Sequence, residues 1–230
     1  MARATLSGIG ACVFDAYGTL FDVNAAAARC RDALGDKAEP LAVLWRQKQI
    51  QYTWLRSLMA RHADFWQVTG EALDFAMETY GFSNAALRAR LMDCYRRLDA
   101  YPDAADVLKR LKAAGMATAI LSNGSPGMLA DAVASARLDG VLDAILSIED
   151  AGIYKPHPSV YQLAVDRLCV TPECICFLSS NGWDAHGAAS FGFRVVWINR
   201  AHQTPERLPG TLADEIGALS ELPALLGLAA

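Results

Sequence analysis

Hydrophobic spacing divides the chain into three stretches. The run Ala11-Cys-Val-Phe14 is short, unbroken and apolar, and it ends on Asp15. That pattern predicts a buried strand over Ala11–Asp15, with Tyr17-Gly18-Thr19 turning the chain after it. From about Asn24 to Leu98 apolar residues recur every three or four positions. Leu41, Leu44 and Trp45 come first, then Trp54, Leu55, Leu58 and Met59, then Leu73, Met77 and Tyr80. This stretch predicts helices and no strand. Tyr101-Pro102 breaks it, and Ala104–Ala114 reads as a helix stopped by Gly115. Beyond Gly115 strands and helices alternate. Strands are expected at Met116–Leu121, Ala144–Ser147, Cys174–Leu178 and Arg194–Ile198. Helices are expected from Pro126, with Ser125 as N-cap, to about Ala136, and at Pro158–Leu168, Asp184–Ser190 and Leu219–Leu228.

Strands that alternate with helices imply a mostly parallel sheet with right-handed crossovers. The expected fold is α/β, a Rossmann-like doubly wound sheet. The helical stretch after the first strand is too long for one crossover and reads as an inserted cap. Residues 1–20 and 100–230 would form the core domain, and 21–99 the helical cap. In open α/β sheets ligands bind beyond the carboxyl ends of the strands. That rule selects Asp15–Thr19, Ser122-Asn123, the loop around Lys155, and Ser179–Asp184.

Composition narrows the classes. The chain has 230 residues, 53% of them hydrophobic and 20% charged, ordinary for a soluble globular protein that needs no staples. No apolar run reaches the ~20 residues that cross a bilayer, and no secretory leader is evident, so a cytoplasmic protein is expected. A net charge of −4 without a basic cluster argues against nucleic acid and, in the far field, against an anionic substrate. Cys12, Cys30, Cys94, Cys169, Cys174 and Cys176 form no C-x-x-C pair and no zinc spacing. They read as free thiols in a reducing compartment, with Cys12, Cys174 and Cys176 inside apolar runs. His62, His157, His186 and His202 are scattered and are given no chemistry, and Asp22 reads as a structural turn residue.

The four selected segments bring a carboxylate, hydroxyl and amide donors, a lysine and a second carboxylate to one sheet edge. Phe14-Asp15-Ala-Tyr-Gly-Thr19-Leu-Phe-Asp22 resembles the first motif of the haloacid dehalogenase superfamily. Ser122-Asn123, Lys155-Pro156 and Ser179–Asp184 resemble its second, third and fourth. Trp45-Arg46-Gln47-Lys48-Gln49, Tyr52-Thr53-Trp54-Leu55-Arg56 and Ser179-Ser180-Asn181-Gly182-Trp183-Asp184 resemble the L-2-haloacid dehalogenases within it.

The resemblance implies a hydrolysis of short L-2-haloalkanoic acids to D-2-hydroxy acids and halide. Asp15 would attack C2 and form an ester. Lys155 would orient Asp15. Thr19, Ser122, Ser179 and Asn181 would hydrogen-bond carboxylates, and Tyr161 would hold Lys155 or Asp15. Asp184, with Lys155 as an alternative, would activate water. Arg46 from the cap, Asn123 and the edge of Trp183 would receive the halide, a charge that appears only as the bond breaks. Tyr17, Gln47, Ile50 and Phe65, with Trp183, would line the alkyl pocket. Ser122 and the amides of Ala16 and Tyr17 would bind the substrate carboxylate. Arg46 and Lys155 would make a local cationic pocket inside the acidic shell.

Phosphatases of the superfamily carry a second Asp in the first motif and paired acids in the fourth, both serving Mg²⁺. Here those places hold Tyr17 and the run Ser179-Ser180-Asn181, so no metal and no cofactor is expected. A Mg-dependent phosphatase and a non-catalytic carboxylate-binding protein are the competing readings. The resemblance also implies a homodimer, through Trp54, Leu55, Leu58 and Met59 unless these form the cap's own core.

Overall fold

The computed structural model describes residues 5–23 and 28–228, so the expected helical start at Asn24 lies outside the described residues. Among the described residues six strands form one sheet: β1 (Ala11–Phe14), β2 (Ala117–Ser122), β3 (Ala144–Ser147), β4 (Ile175–Ser179), β5 (Arg194–Ile198) and β6 (Asp214–Ile216). Their order is β3-β2-β1-β4-β5-β6, and every pairing is parallel. The central strand β1 is fully buried, which is why it reads as an unbroken apolar run without alternation. The sheet belongs to the expected α/β, doubly wound class.

Described helices are α1 (Arg31–Leu34), α2 (Ala38–Leu58), α3 (Phe65–Thr79), α4 (Ala85–Arg96), α5 (Ala104–Ala113), α6 (Pro126–Ser135), α7 (Pro158–Leu168), α8 (Gly182–Phe191) and α9 (Leu222–Leu225). α1 to α4 lie between β1 and the helix that leads to β2. Among them α2 packs along α3, α3 meets α4, and α4 touches α6 on the sheet side. Asp64 accepts the Gln67 N–H and Asn84 accepts the Ala86 and Leu87 N–H groups, so both α3 and α4 start on side-chain caps. α7 packs on β2 and β3, and α8 on β4 and β5.

Several local expectations need correction. Ser125 sits at the N-cap of α6 with extended backbone, but its hydroxyl bonds no helix amide. Cys174 lies in a 3-10 turn, Pro172–Cys174, and β4 starts one residue later. The closing helix is a 3-10 turn, Leu219–Glu221, followed by the single turn α9. Pro223 opens that turn and Gly227, at φ 71°, ends it. β6 escaped the sequence reading because Asp-Glu-Ile is three residues long with one buried side chain. The face of Trp54, Leu55, Leu58 and Met59 is not the cap's core. It is open to solvent, Leu58 being 83% exposed. All six cysteines are free. Among the described residues no helix is long and apolar enough to cross a membrane.

Register is what builds the site. Phe14 pairs with Ile120 and with Leu178, so β1 ends one residue short of the end of β4 and two short of the end of β2 at Ser122. The Asp15 N–H donates to the Leu178 carbonyl at 2.8 Å, the last rung before the chains part. β2 and β3 extend to one side of β1 and β4 to the other. The topological switch point therefore lies between β1 and β4, the crevice where such sheets bind ligands.

Candidate active site

Three ionisable side chains are buried at that switch point. Lys155 Nζ donates to Asp15 Oδ1 at 3.2 Å and to Asp184 Oδ2 at 2.9 Å. The Lys155 and Asp184 side chains are each 1% exposed, and that of Asp15 is 8% exposed. Burial disfavours the Lys155 ammonium, but the charges of Asp15 and Asp184 outweigh it and raise the pKa above the ordinary lysine value. Burial also raises the Asp184 carboxyl. Lys155 pulls it back, and repulsion from Asp15 adds to the rise. Lys155 is thus held protonated between two carboxylates, and the net effect on Asp184 is a pKa above the ordinary aspartate value.

Each carboxylate has further partners. Asn181 Nδ2 donates to Asp15 Oδ2 at 2.9 Å, and Thr19 Oγ1 donates to the same oxygen at 3.4 Å. Thr19 Oγ1 also accepts the Ser180 N–H at 2.8 Å, which ties the turn after β1 to the turn after β4. Gly18 allows this approach. Its φ is 90°, and a Cβ there would lie 2.8 Å from Ser180 Oγ. Tyr161 OH donates to Asp184 Oδ1 at 2.8 Å. It holds Asp184, not Lys155 or Asp15 as the sequence suggested. Its ring is fixed by edge contacts to Phe177 and Phe193. Gly187 lets α8 come this close, since a Cβ there would sit 2.5 Å from Pro156 Cβ and 2.7 Å from the Tyr161 hydroxyl oxygen. The Lys155-Pro156 peptide is cis.

Two expected hydroxyl contacts are absent among the described residues. Ser179 Oγ accepts the Asn181 N–H at 3.2 Å and Ser122 Oγ accepts the Gly124 N–H at 3.1 Å. Both hydroxyls sit at strand ends, where the loop amide two residues on is the nearest partner. Neither touches a protein carboxylate, but each keeps its own proton to donate. Asn123 Oδ1 accepts the Lys155 N–H at 3.1 Å, so its NH₂ is the end left to donate. No described hydrogen bond takes the N–H of Ala16 or Tyr17, while the Ala16 carbonyl accepts from Leu20 and Phe21.

The helices supply the other wall. Arg46, half-buried on α2, donates through Nη2 to Asn181 Oδ1 at 3.2 Å. Tyr17 packs between Phe65 and Tyr95, with ring centroids 5.9 and 5.7 Å away, and burial pushes its phenol well above the ordinary value. Ile50 is 8% exposed. Gln47 is the clear misplacement: it is exposed on α2, while Gln49 faces inward. Residues two apart on a helix point about 200° apart, so a motif that contains both does not say which one turns in. Trp183 stacks edge-on against Trp54 at 5.3 Å across the seam.

Arg46, Asn181, Trp183 and Tyr17 line a cavity of about 240 Å³. Arg200 lines it too, stacked over Tyr101 and paired with Asp103 at 3.1 Å. Sequence reasoning gave no role to Arg200, Gln49 or Ser180: Gln49 and Ser180 stand inside the quoted motifs, and no motif marks Arg200. Among the described residues no three His, Cys, Asp or Glu side chains cluster to hold a metal ion. The Mg²⁺ implied by the wider fold family does not fit this donor set. Tyr17 stands where a second acid would help hold it, and the Lys155 ammonium lies between the two buried carboxylates.

Comparison with known proteins gives the same family. Residues 9–192 match the haloacid dehalogenase-like hydrolases. The chain is 51% identical to (S)-2-haloacid dehalogenase 4A of Burkholderia cepacia over 96% of both chains. A solved dehalogenase structure superposes with a TM-score of 0.94 at 52% identity, covering 96% of this chain and 98% of that one. The L-2-haloacid dehalogenase of Xanthobacter autotrophicus, solved with chloropropionic acid covalently bound, gives 0.89 at 39% identity over 96% of this chain and all of that one. The chain belongs to the haloacid dehalogenase-like hydrolases and, within them, to the L-2-haloacid dehalogenases.

Proposed function

We propose that this enzyme converts short L-2-haloalkanoic acids to D-2-hydroxyalkanoic acids through an ester on Asp15, without a metal. The observation that carries the reading is the buried Asp15–Lys155–Asp184 cluster with Tyr17 in place of a second acid. Asp15 Oδ forms a bond to C2 from the side opposite the halogen. The carbon–halogen bond breaks, and the halide leaves with its electron pair. A halide is a weak base and needs no general acid, which suits Tyr17 at that position. Arg46, the Asn123 amide and the Trp183 edge receive the charge as it develops. Ser122 Oγ and the Ala16 and Tyr17 amides hold the substrate carboxylate, and Tyr17, Ile50 and Phe65 line the alkyl side.

Water then attacks the Asp15 carbonyl carbon. Asp184 takes its proton, because Lys155 is kept protonated by its two carboxylate neighbours and has no lone pair to offer. The bond between the Asp15 carbonyl carbon and the substrate oxygen breaks, that oxygen takes the proton from Asp184 and leaves as the hydroxyl of the product, and C2 is inverted once. Thr19, Asn181 and Tyr161 keep the two carboxylates aimed, and Ser179 shapes the turn that carries Asn181. Residues 21–99 act as a lid over the core of 1–20 and 100–230. The exposed Trp54–Met59 face supports a homodimer, which sedimentation would check.

Halide release from L- and D-2-chloropropionate, with and without chelator, tests the reading. Release from the L-acid that survives EDTA is expected. Mg-dependent phosphate release from an aryl phosphate would replace it with the phosphatase reading. A single turnover in heavy-oxygen water should label Asp15 and leave the product unlabelled. Label in the product would mean direct attack by water on C2.

A further inference from the structure

Behind Arg46 lies a buried polar cluster in the cap whose other members the proposed reaction does not name. Arg46 Nη1 donates to Gln49 Oε1 at 2.7 Å. Gln49 is fully buried, and its amide is not free to turn over. Thr69, on α3, donates its own proton to the Phe65 carbonyl at 2.6 Å. Its oxygen therefore accepts from Gln49 Nε2 at 2.7 Å, while Tyr95 OH on α4 accepts from that NH₂ at 3.0 Å and lies 3.2 Å from Oε1, to which it can donate. This fixes Oε1 toward Arg46. A flipped amide would set N–H against N–H, since a guanidinium has only donors. Trp45 Nε1 donates to the Thr69 carbonyl at 2.9 Å and pins the same two helices together. On its other side Arg46 reaches Asn181, and Asn181 reaches Asp15. The polar chain thus runs from the α3 backbone to the nucleophile.

We propose that Gln49 is a positioning residue for the displacement step. It is a neutral, orientation-locked acceptor that aims Arg46 at the departing halide without cancelling its charge. A leucine would fill the space but leave the guanidinium unaimed. A glutamate would hold it but neutralise it. The proposal rests on the dehalogenase reading of Arg46 given above.

The test compares Gln49→Leu, Gln49→Glu and Tyr95→Phe with wild type and Arg46→Lys. The readouts are kcat/KM for L-2-chloropropionate and L-2-bromopropionate, inhibition by bromide ion, and thermal midpoint. Chloride is the poorer leaving group and depends more on Arg46. Gln49→Leu and Gln49→Glu should therefore cut kcat/KM about thirtyfold for the chloro acid and only about fivefold for the bromo acid. The bromide inhibition constant should rise about tenfold in both variants. Tyr95→Phe keeps the ring against Tyr17 and removes one amide partner, so it should show the same selectivity in milder form at a near-native midpoint. If these variants lower both substrates equally and leave bromide inhibition unchanged, Gln49 is only structural and the proposal is overturned. If wild type releases no halide, or Arg46→Lys is neutral, the dehalogenase reading itself fails and takes the proposal with it.

Discussion

The two walls of the site are built on opposite electrostatic plans. On the sheet side, three charges are buried in mutual contact, and every carboxylate oxygen has a donor. On the helical side a single half-buried guanidinium is held by neutral amides and hydroxyls. In the proposed reaction the sheet side holds a nucleophile and a base against their mutual repulsion, which a cation locked between them offsets. In the same proposal the helical side keeps its charge available for a departing halide, and its acceptor is a neutral amide that does not cancel that charge. The first plan is rigid because the register of three parallel strands fixes where their ends lie. The second depends on how α2 sits across the seam, where Trp54 meets Trp183 and Tyr154 OH donates to the Ala63 carbonyl.

The largest expected effect separates chemistry from scaffold. Asp15→Asn keeps shape and most hydrogen bonds but removes the nucleophile. Halide release should fall by a factor on the order of 10⁴ or more, with an unchanged circular dichroism spectrum. Lys155→Met should break the sheet side as a structure. It leaves two buried carboxylates without their shared cation, a loss of about 3–5 kcal/mol readable by denaturant titration. The sign of the pH effect follows from the raised lysine pKa. In wild type this contribution is full below the unfolded lysine value of about 10.4 and is lost only as pH rises through the higher folded value. The stability gap between the two proteins should therefore stay constant from neutral pH to about pH 10 and close above it.

A smaller effect should fall on the hydrolysis half-reaction. In the proposed hydrolysis Asp184 has to be ionised to take the proton from water, and burial raises its pKa. As pH falls, kcat should drop through a midpoint above the ~3.9 of an ordinary aspartate, with ester accumulating on Asp15. Mass spectrometry of acid-quenched enzyme would detect that adduct. The Tyr161 hydrogen bond lowers the Asp184 pKa, so Tyr161→Phe should move the acid limb to higher pH and slow turnover several-fold. An unmoved limb would take Asp184 out of the base role. The smallest effect is expected at the outer seam. Arg96→Ala removes an ion pair to Asp131 whose side chains are 50% and 41% exposed, and the change should stay below about 1 kcal/mol and leave kcat/KM intact.

Legibility in the sequence differed between the two walls for a physical reason. A buried parallel strand needs an unbroken apolar run, and its end is marked by the first polar residue. Asp15, Ser122 and Ser179 could therefore be located by counting, and Lys155 and Asp184 followed from the loops. The helical wall has a 3.6-residue period but no such end-point. Arg46 was found only through its motif, and the same motif offered Gln47 and Gln49 without saying which faces inward. Hydroxyl partners were also beyond reach, because a serine at a strand end bonds whichever amide its own turn presents. Ser179 and Ser122 chose loop amides, and Tyr161 chose Asp184.

The sequence by itself determined the order of elements, the sheet class and the set of reactive groups at the strand ends, because local spacing and turn chemistry act within a few residues. Only the tertiary structure decided which of those groups touch. Placing Lys155 between Asp15 and Asp184, and Gln49 behind Arg46, depends on register across β1 and β4 and on the packing of α2 against α3 and α4. Those contacts join residues up to 166 positions apart, as Asn181 meets Asp15. No local propensity encodes a distance of that kind.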